Sequence, residues 1–265
     1  MNKNILLTAN GTQYFRHPEV ELVGRTQFVG LQGVSRYIES YPEPEYEYKD
    51  YLDDMFELVG KEEYNEFLVK LAGQICYQSH GVRRTKNADM AGYFKHIHES
   101  AHFSVLEHFN FTFLIYGVTR NFSSEMNRHR HLSISEKSQR YCNKMRFVER
   151  PEFQIDEGLH NDFCNFIDEA NVRYNETRKK LLVSMKDELE NKSKTDKIKA
   201  VNQVARTFLP GCTETVCVYT GNTRTWLELV KKRDSIYAET EIRNVAQSIH
   251  GLLKDFIVYD PTRRN

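Results

Sequence analysis

Residues 128–141 read Arg-His-Arg-His-Leu-Ser-Ile-Ser-Glu-Lys-Ser-Gln-Arg-Tyr and hold the densest set of chemically capable groups in the chain. Such a stretch can surround an anion and still offer hydroxyl and carboxylate groups to something uncharged beside it. Three chemistries compete for it. The first is a helix end whose cations favour the C-terminal dipole and decorate the surface. The second is nucleic-acid contact, with Arg130 and Arg140 gripping phosphates. The third is a nucleotide site, in which arginine makes bidentate phosphate contact, Ser138 donates to a phosphate oxygen, and Glu136 accepts from a ribose hydroxyl or a ring N–H.

A second constellation points to a different reaction class. His98-Glu99-Ser100-Ala101-His102 matches the zinc-protease pattern, with His108 where a third ligand would fall. On a helix His98 and His102 would share a face and Glu99 would act as general base. Against it, Val105 stands where that pattern needs a glycine to turn sharply. The residues from His108 onward also read as a strand. Zinc peptidase and RNA-binding protein are the two alternatives to a nucleotide enzyme.

These groups need elements to hold them. Residues 108–118 put Phe109, Phe111, Phe113 and Ile115 on one face, as a half-buried strand does. That strand leads into 120–131, which lacks Gly and Pro and reads as a helix delivering the basic cluster at its end. Residues 19–29 read as an early strand, and 62–77 and 90–99 as helices. Three apolar stripes follow. They run through Phe163, Phe166, Ile167, Ala170 and Tyr174; through Ile198, Val201, Val204 and Phe208; and through Ala238, Ile242, Val245, Ile249, Leu252 and Phe256. The lysine-rich 179–199 stretch reads as solvated helix faces and a turn at 191–196. Strands and helices mix without βαβ alternation, which predicts an α+β class. The expectation is an antiparallel sheet flanked by helices in a single domain over 1–265, with 30–60 as an insertion or extended loop.

Composition narrows the function. Formal net charge is zero, so the molecule is not built to coat nucleic acid or an acidic membrane, and any positive field is local. The five cysteines (Cys76, Cys142, Cys164, Cys212, Cys217) are odd in number and form no Cys-x-x-Cys pair, which argues against a disulfide framework or zinc ribbon. No signal peptide is apparent, and no apolar run approaches the ~20 residues of a membrane span. The expected setting is a reducing cytoplasm, a host's if the source is viral.

Arg128-His129-Arg130, followed by seven residues and Ser138, resembles the signature of the flavin-dependent thymidylate synthases. Further motifs resemble that family in order. They are His102-x-Ser104-x-x-Glu107-His108 before the strand, Ala205-Arg206-x-x-Leu209-Pro210, Asn222-x-Arg224, and Arg233 with Glu241-Ile242 after it. The resemblance covers about residues 20 to 257.

The resemblance implies FAD as cofactor, NADPH and 5,10-methylenetetrahydrofolate as co-substrates, and dUMP as the substrate made into dTMP. It implies a homotetramer with active sites at subunit contacts, no metal, and no cysteine nucleophile. By the same resemblance Glu125, Met126, Asn127, Arg128, Glu136, Lys137, Ser138, Gln139, Arg140, Arg206 and Arg233 would bind dUMP. Ser138 and Arg140 would lie near its phosphate, and Arg233 would be catalytic. Flavin contacts would come from Ser104, Arg128, His129, Arg130, Glu136, Asn222, Thr223 and Arg224, with Arg128 shared between flavin and nucleotide. Two positions on the flavin side depart from the pattern. Glu228 stands where some relatives have Asn, and Thr225-x-x-Glu228 also reads as a capping box. Tyr237 stands where His is frequent.

Overall fold

Apolar alternation and short helical stripes account for most of the elements of the computed structural model, which describes residues 4–30, 32–40, 66–77, 79 and 89–261. In chain order these are β1 (Ile5–Leu7), β2 (Gln13–Phe15), β3 (Glu19–Arg25), α1 (Gln32–Glu39), α2 (Phe67–Tyr77) and α3 (Met90–Glu99). Then come β4 (Asn110–Thr119), α4 (Arg120–Met126), β5 (Ser133–Glu136), β6 (Phe147–Val148), α5 (Glu157–Ser184) and α6 (Lys186–Leu189). The last are α7 (Lys194–Ala205), β7 (Glu214–Asn222), α8 (Thr223–Arg233) and α9 (Thr240–Leu253). A four-stranded sheet runs β3-β4-β7-β5 and a three-stranded one runs β1-β2-β6. The expected α+β class holds. One short parallel pairing is added where β2 meets β6, at Tyr14↔Phe147 and Phe15↔Val148.

The chain divides into two compact units. The first comprises Met1–Glu21, Leu114–Tyr219 and Glu239–Val245. Its core gathers Tyr14, Phe147, Phe163, Ile167, Tyr174 and Ala205. Burying such aromatic and aliphatic side chains is the main favourable term in folding, roughly 1.5–3 kcal/mol for each large one. The β1–β2 hairpin is tied to α5 by Thr8 Oγ1 donating to Asp168 Oδ1 at 2.7 Å and Asn10 Nδ2 to Asp168 Oδ2 at 2.9 Å. Gly117 in β4 has φ +67°, and a Cβ there would come within 2.9 Å of the His17 carbonyl oxygen, so only glycine fits.

The second unit comprises Leu22–Phe113, Thr220–Ala238 and Ala246–Asn265. Phe109, Phe111 and Phe113 all point inward as the alternation requires, and Trp226 packs edge-on against Phe113 at 4.9 Å. The buried indole N–H is shared between the carbonyls of Gly221 (3.0 Å) and Phe111 (3.2 Å), so α8 is fixed to the strand ends.

Several expectations need correcting. The helix predicted over 120–131 stops at Met126. Phe166, Val204 and Phe208 face outward, and the buried stripe of α7 is Ala200, Val201, Asn202 and Ala205. Within the expected 30–60 loop, residues 32–39 form helix α1, while 41–60 lie outside the described residues.

Candidate active site

In the first unit the basic cluster is set by how α4 starts and stops. Thr119 is the N-cap: its hydroxyl accepts from the Phe122 amide at 3.0 Å and donates to Glu241 Oε2 at 2.6 Å. Its own amide donates to Glu241 Oε1 at 2.7 Å. Burial pushes the Glu241 carboxyl up, and the Thr119 bonds oppose that shift. At the other end the amides of Asn127, Arg128 and His129 fold back onto the carbonyls of Ser123, Glu125 and Met126. The cations at 128–131 therefore stand in turns beyond the helix rather than on its last turn. Arg128, Arg130 and His131 are exposed, while His129 and Glu125 are half-buried. The Met126 side chain is wholly buried in the core.

Downstream, β5 hands the chain to a tight loop. Glu136 pairs with Arg120 at 2.5 Å and accepts from Thr215 Oγ1 at 3.0 Å. Lys137 Nζ meets Glu214 Oε2 at 2.7 Å, while Arg146 takes the other oxygen at 3.1 Å. Glu214 is fully buried and has a cation on each oxygen, which is the arrangement a buried carboxylate requires. Ser138 closes the turn, accepting from the amides of Tyr141 (3.2 Å) and Cys142 (3.0 Å) at its carbonyl and from the Arg140 amide (3.3 Å) at its hydroxyl. Arg140 donates through Nη2 to Gln203 Oε1 at 3.1 Å, whereas its Nε is buried with no partner among the described residues. Gln139 is half-buried, and Arg206 is exposed just past the end of α7.

The second unit carries the other set. Ser104 is exposed on a 3-10 turn spanning Phe103–His108. Asn222, not Thr225, is the N-cap of α8, its oxygen accepting from the Thr225 amide at 2.9 Å. The capping box expected at Thr225-x-x-Glu228 is therefore absent. Glu228 instead takes Arg224 Nε at 3.0 Å, while Glu107 takes Nη1 at 2.8 Å. Thr223 is buried, with its hydroxyl on the Phe109 carbonyl at 3.2 Å. Arg233 ends α8 half-buried, and Tyr237 is almost fully exposed.

Beside Arg224 lies a cavity of about 180 Å³ lined by His98, Phe103, Leu106, Leu227, Glu228, Lys231 and Pro261 as well. Its walls are apolar side chains and its charges are Arg224, Glu228 and Lys231. His98 Nε2 is buried without a partner among the described residues, and burial holds the imidazolium form below its usual range. An arginine next to an apolar-walled cavity suits a group that joins a phosphate to a flat ring system, which is the make-up of a flavin nucleotide.

The zinc reading does not survive. Helix α3 ends at Glu99, Ser100 is its C-cap, and Ala101 takes φ +55°. His102 thus leaves the helical face of His98 and stacks on Tyr77 at 5.8 Å. No group of three or more potential metal ligands forms among the described residues. Cys212 and Cys217 are not activated nucleophiles. Burial pushes the Cys212 and Cys217 thiols up to about 11, so both stay protonated at neutral pH.

Sequence reasoning assigned no role to four residues that shape the two sets. Arg120 holds Glu136, Glu107 holds Arg224, and Asn202 and Arg178 support Arg140. Glu107 lies inside a quoted motif and was legible as a candidate. Arg178 borders the lysine-rich stretch and Asn202 sits mid-helix, so neither carried a signal.

Comparison with known proteins adds the family. A family model described as "Thymidylate synthase complementing protein" matches residues 43–257. A flavin-dependent thymidylate synthase from Mycobacterium avium (strain 104) is 40% identical over 181 residues, covering 68% of this chain and 71% of its own length. One from Mycobacterium tuberculosis (strain ATCC 25618 / H37Rv) is 39% identical over 181 residues, with the same coverage. Among solved structures, the UMP/dUMP methylase PolB from Streptomyces cacaoi, bound with 5-Br UMP, is similar with a TM-score of 0.54. It is 18% identical and covers 93% of this chain and 97% of its own, a likeness of fold.

Proposed function

Because the chain belongs to the flavin-dependent thymidylate synthase family, we propose that it converts dUMP to dTMP with 5,10-methylenetetrahydrofolate, NADPH and FAD. The alternatives fall away. The zinc-ligand face is not formed, and the zero net charge gives no basis for a polynucleotide surface. The observation that carries the nucleotide half is the buried Arg140 Nε, a donor with no partner among the described residues in a loop that is otherwise hydrogen-bonded.

The electron count fixes what must be supplied. A methylene carbon becoming a methyl group gains two electrons while the folate leaves as tetrahydrofolate, so an outside reductant is needed, and NADPH is that reductant. Bound FAD supplies the redox chemistry between them. Arg224 and the apolar walls beside it would hold the flavin, together with Ser104, Asn222, Arg128, His129 and Arg130. Ser138 and Arg140 would take the phosphate of dUMP, with Arg206 as a further ligand. Glu125, Asn127, Glu136, Lys137 and Gln139 would complete the nucleotide set, and Met126 would support it from the core.

Arg233 is assigned to the base. Loss of the N3 proton leaves negative charge on the uracil ring and raises electron density at C5, the carbon that must attack an electrophile. A guanidinium fixed beside N3 and O4 stabilises that charge in a water-poor site. The assembly is a homotetramer in the cytoplasm under this reading. No described helix is long and apolar enough to cross a membrane.

Spectroscopy of the purified protein tests the cofactor directly. Flavin absorbance is expected in the isolated or FAD-reconstituted protein, bleaching under NADPH faster when dUMP is present. A protein that takes up no flavin on reconstitution contradicts the proposal.

A further inference from the structure

Asn202 is fully buried on the inner face of α7, and each of its polar groups is used. Its Oδ1 accepts from Arg178 Nε of α5 at 2.7 Å, its Nδ2 donates to the Arg140 carbonyl at 3.0 Å, and its backbone carbonyl accepts the Arg206 amide. The amide orientation follows from chemistry. A guanidinium only donates and a carbonyl only accepts, so oxygen must face Arg178 and nitrogen must face Arg140. One side chain thus ties the loop around Ser138 and Arg140 to the helix that delivers Arg206. Gln203, the next residue of the same helix, takes the Arg140 guanidinium itself.

We propose that Asn202 is a positioning residue for nucleotide phosphate: it holds the Arg140 backbone at one height above α7, with Arg178 as the group that fixes its orientation. The inference rests on the reading of Ser138 and Arg140 as phosphate ligands. Neither Asn202 nor Arg178 touches the nucleotide under this proposal; both act through Arg140. The link is specific to phosphate, because it fixes the residue that grips phosphate and leaves the assigned base contact, Arg233, alone.

Asn202→Asp separates positioning from folding. Its carboxylate keeps the bond to Arg178 as an ion pair, while its second oxygen faces the Arg140 carbonyl and repels it. Expected is a rise of about tenfold in the KM and Kd for dUMP, the size of one buried hydrogen bond lost, with kcat at saturating dUMP and flavin content near wild type. Deoxyuridine, which has no phosphate, should bind both proteins equally weakly. Arg178→Met is the second variant. It removes one of the two anchors of the Asn202 side chain, leaving only its bond to the Arg140 carbonyl, and should raise the same KM, with kcat again unchanged. Arg140→Ala provides the reference, since it should weaken dUMP binding more than either. If Arg140→Ala weakens dUMP binding and Asn202→Asp does not, or if Asn202→Asp lowers kcat and flavin content with KM unmoved, the positioning role is overturned. If Arg140→Ala itself leaves dUMP binding unchanged, the phosphate reading falls and the inference falls with it.

Discussion

Arg224 is held by two carboxylates at once, Glu107 and Glu228, and both pairs are open to solvent. Under the proposed function, a flavin phosphate arriving at Arg224 must compete with them. Exposed pairs of this kind are weak, so the competition is modest and salt-sensitive. Glu228→Gln should tighten FAD binding by about two- to fivefold at low ionic strength, with the gain shrinking in high salt. Flavin fluorescence titration measures it, and unchanged or weaker binding would show that Glu228 does not oppose the cofactor. Residue types in the 128–141 stretch and the Asn222-x-Arg224 segment were legible because their spacing is local. The partners were not. Glu107 lies 117 positions from Arg224 and Asn202 lies 62 from Arg140, and no local pattern announces such pairs.

At the scale of elements, two carboxylates bind separate pieces of chain together, and each carries a pH signature. Glu66, just before α2, is fully buried; Oε2 accepts from the Val258 amide at 2.9 Å and Oε1 has no partner among the described residues. Burial pushes its carboxyl up to about 8, against 4.5 in an open chain. The folded state therefore keeps a proton that the unfolded state releases between those values. Stability is greatest at the acid side of this window and declines as pH rises from 4.5 to about 8, by on the order of a few kcal/mol. Glu66→Gln should flatten that slope in urea midpoints measured at pH 5 and pH 8, and an unaltered slope would show that Glu66 is not its source. Thr119→Val removes the α4 cap and the hydroxyl bond to Glu241 Oε2 while the amide bond to Oε1 remains, so a loss of about 2 kcal/mol in chemical denaturation is expected. A loss below a few tenths of that would show the cap to be incidental.

Strand β4 and helices α3, α5 and α9 were readable because one face is apolar at the right period. The strands β1, β2 and β6 were not, since two or three residues carry no period. The stop of α4 at Met126 also escaped composition, because no Gly or Pro marks it. Backbone amides closing onto Ser123, Glu125 and Met126 end that helix instead.

For the whole molecule, zero net charge combined with concentrated local arginines favours a small anionic ligand over a polymer. The residues proposed for the nucleotide, Arg233 excepted, lie in the first unit, while Ser104, Arg224 and Arg233 lie in the second. Family membership gives those two sets a common reaction, and product formation is the most direct test of it. Wild-type protein and Arg233→Ala should be incubated with FAD, NADPH, dUMP and methylenetetrahydrofolate labelled on its methylene carbon, and the nucleotide product analysed by mass. The proposed function predicts labelled dTMP from flavin-loaded wild type only when NADPH, dUMP and the labelled folate are all present. It also predicts that Arg233→Ala retains its flavin spectrum while forming dTMP at least about a hundredfold more slowly. A flavin-loaded wild-type protein that yields no dTMP, or an Arg233→Ala protein with near-normal turnover, would contradict it.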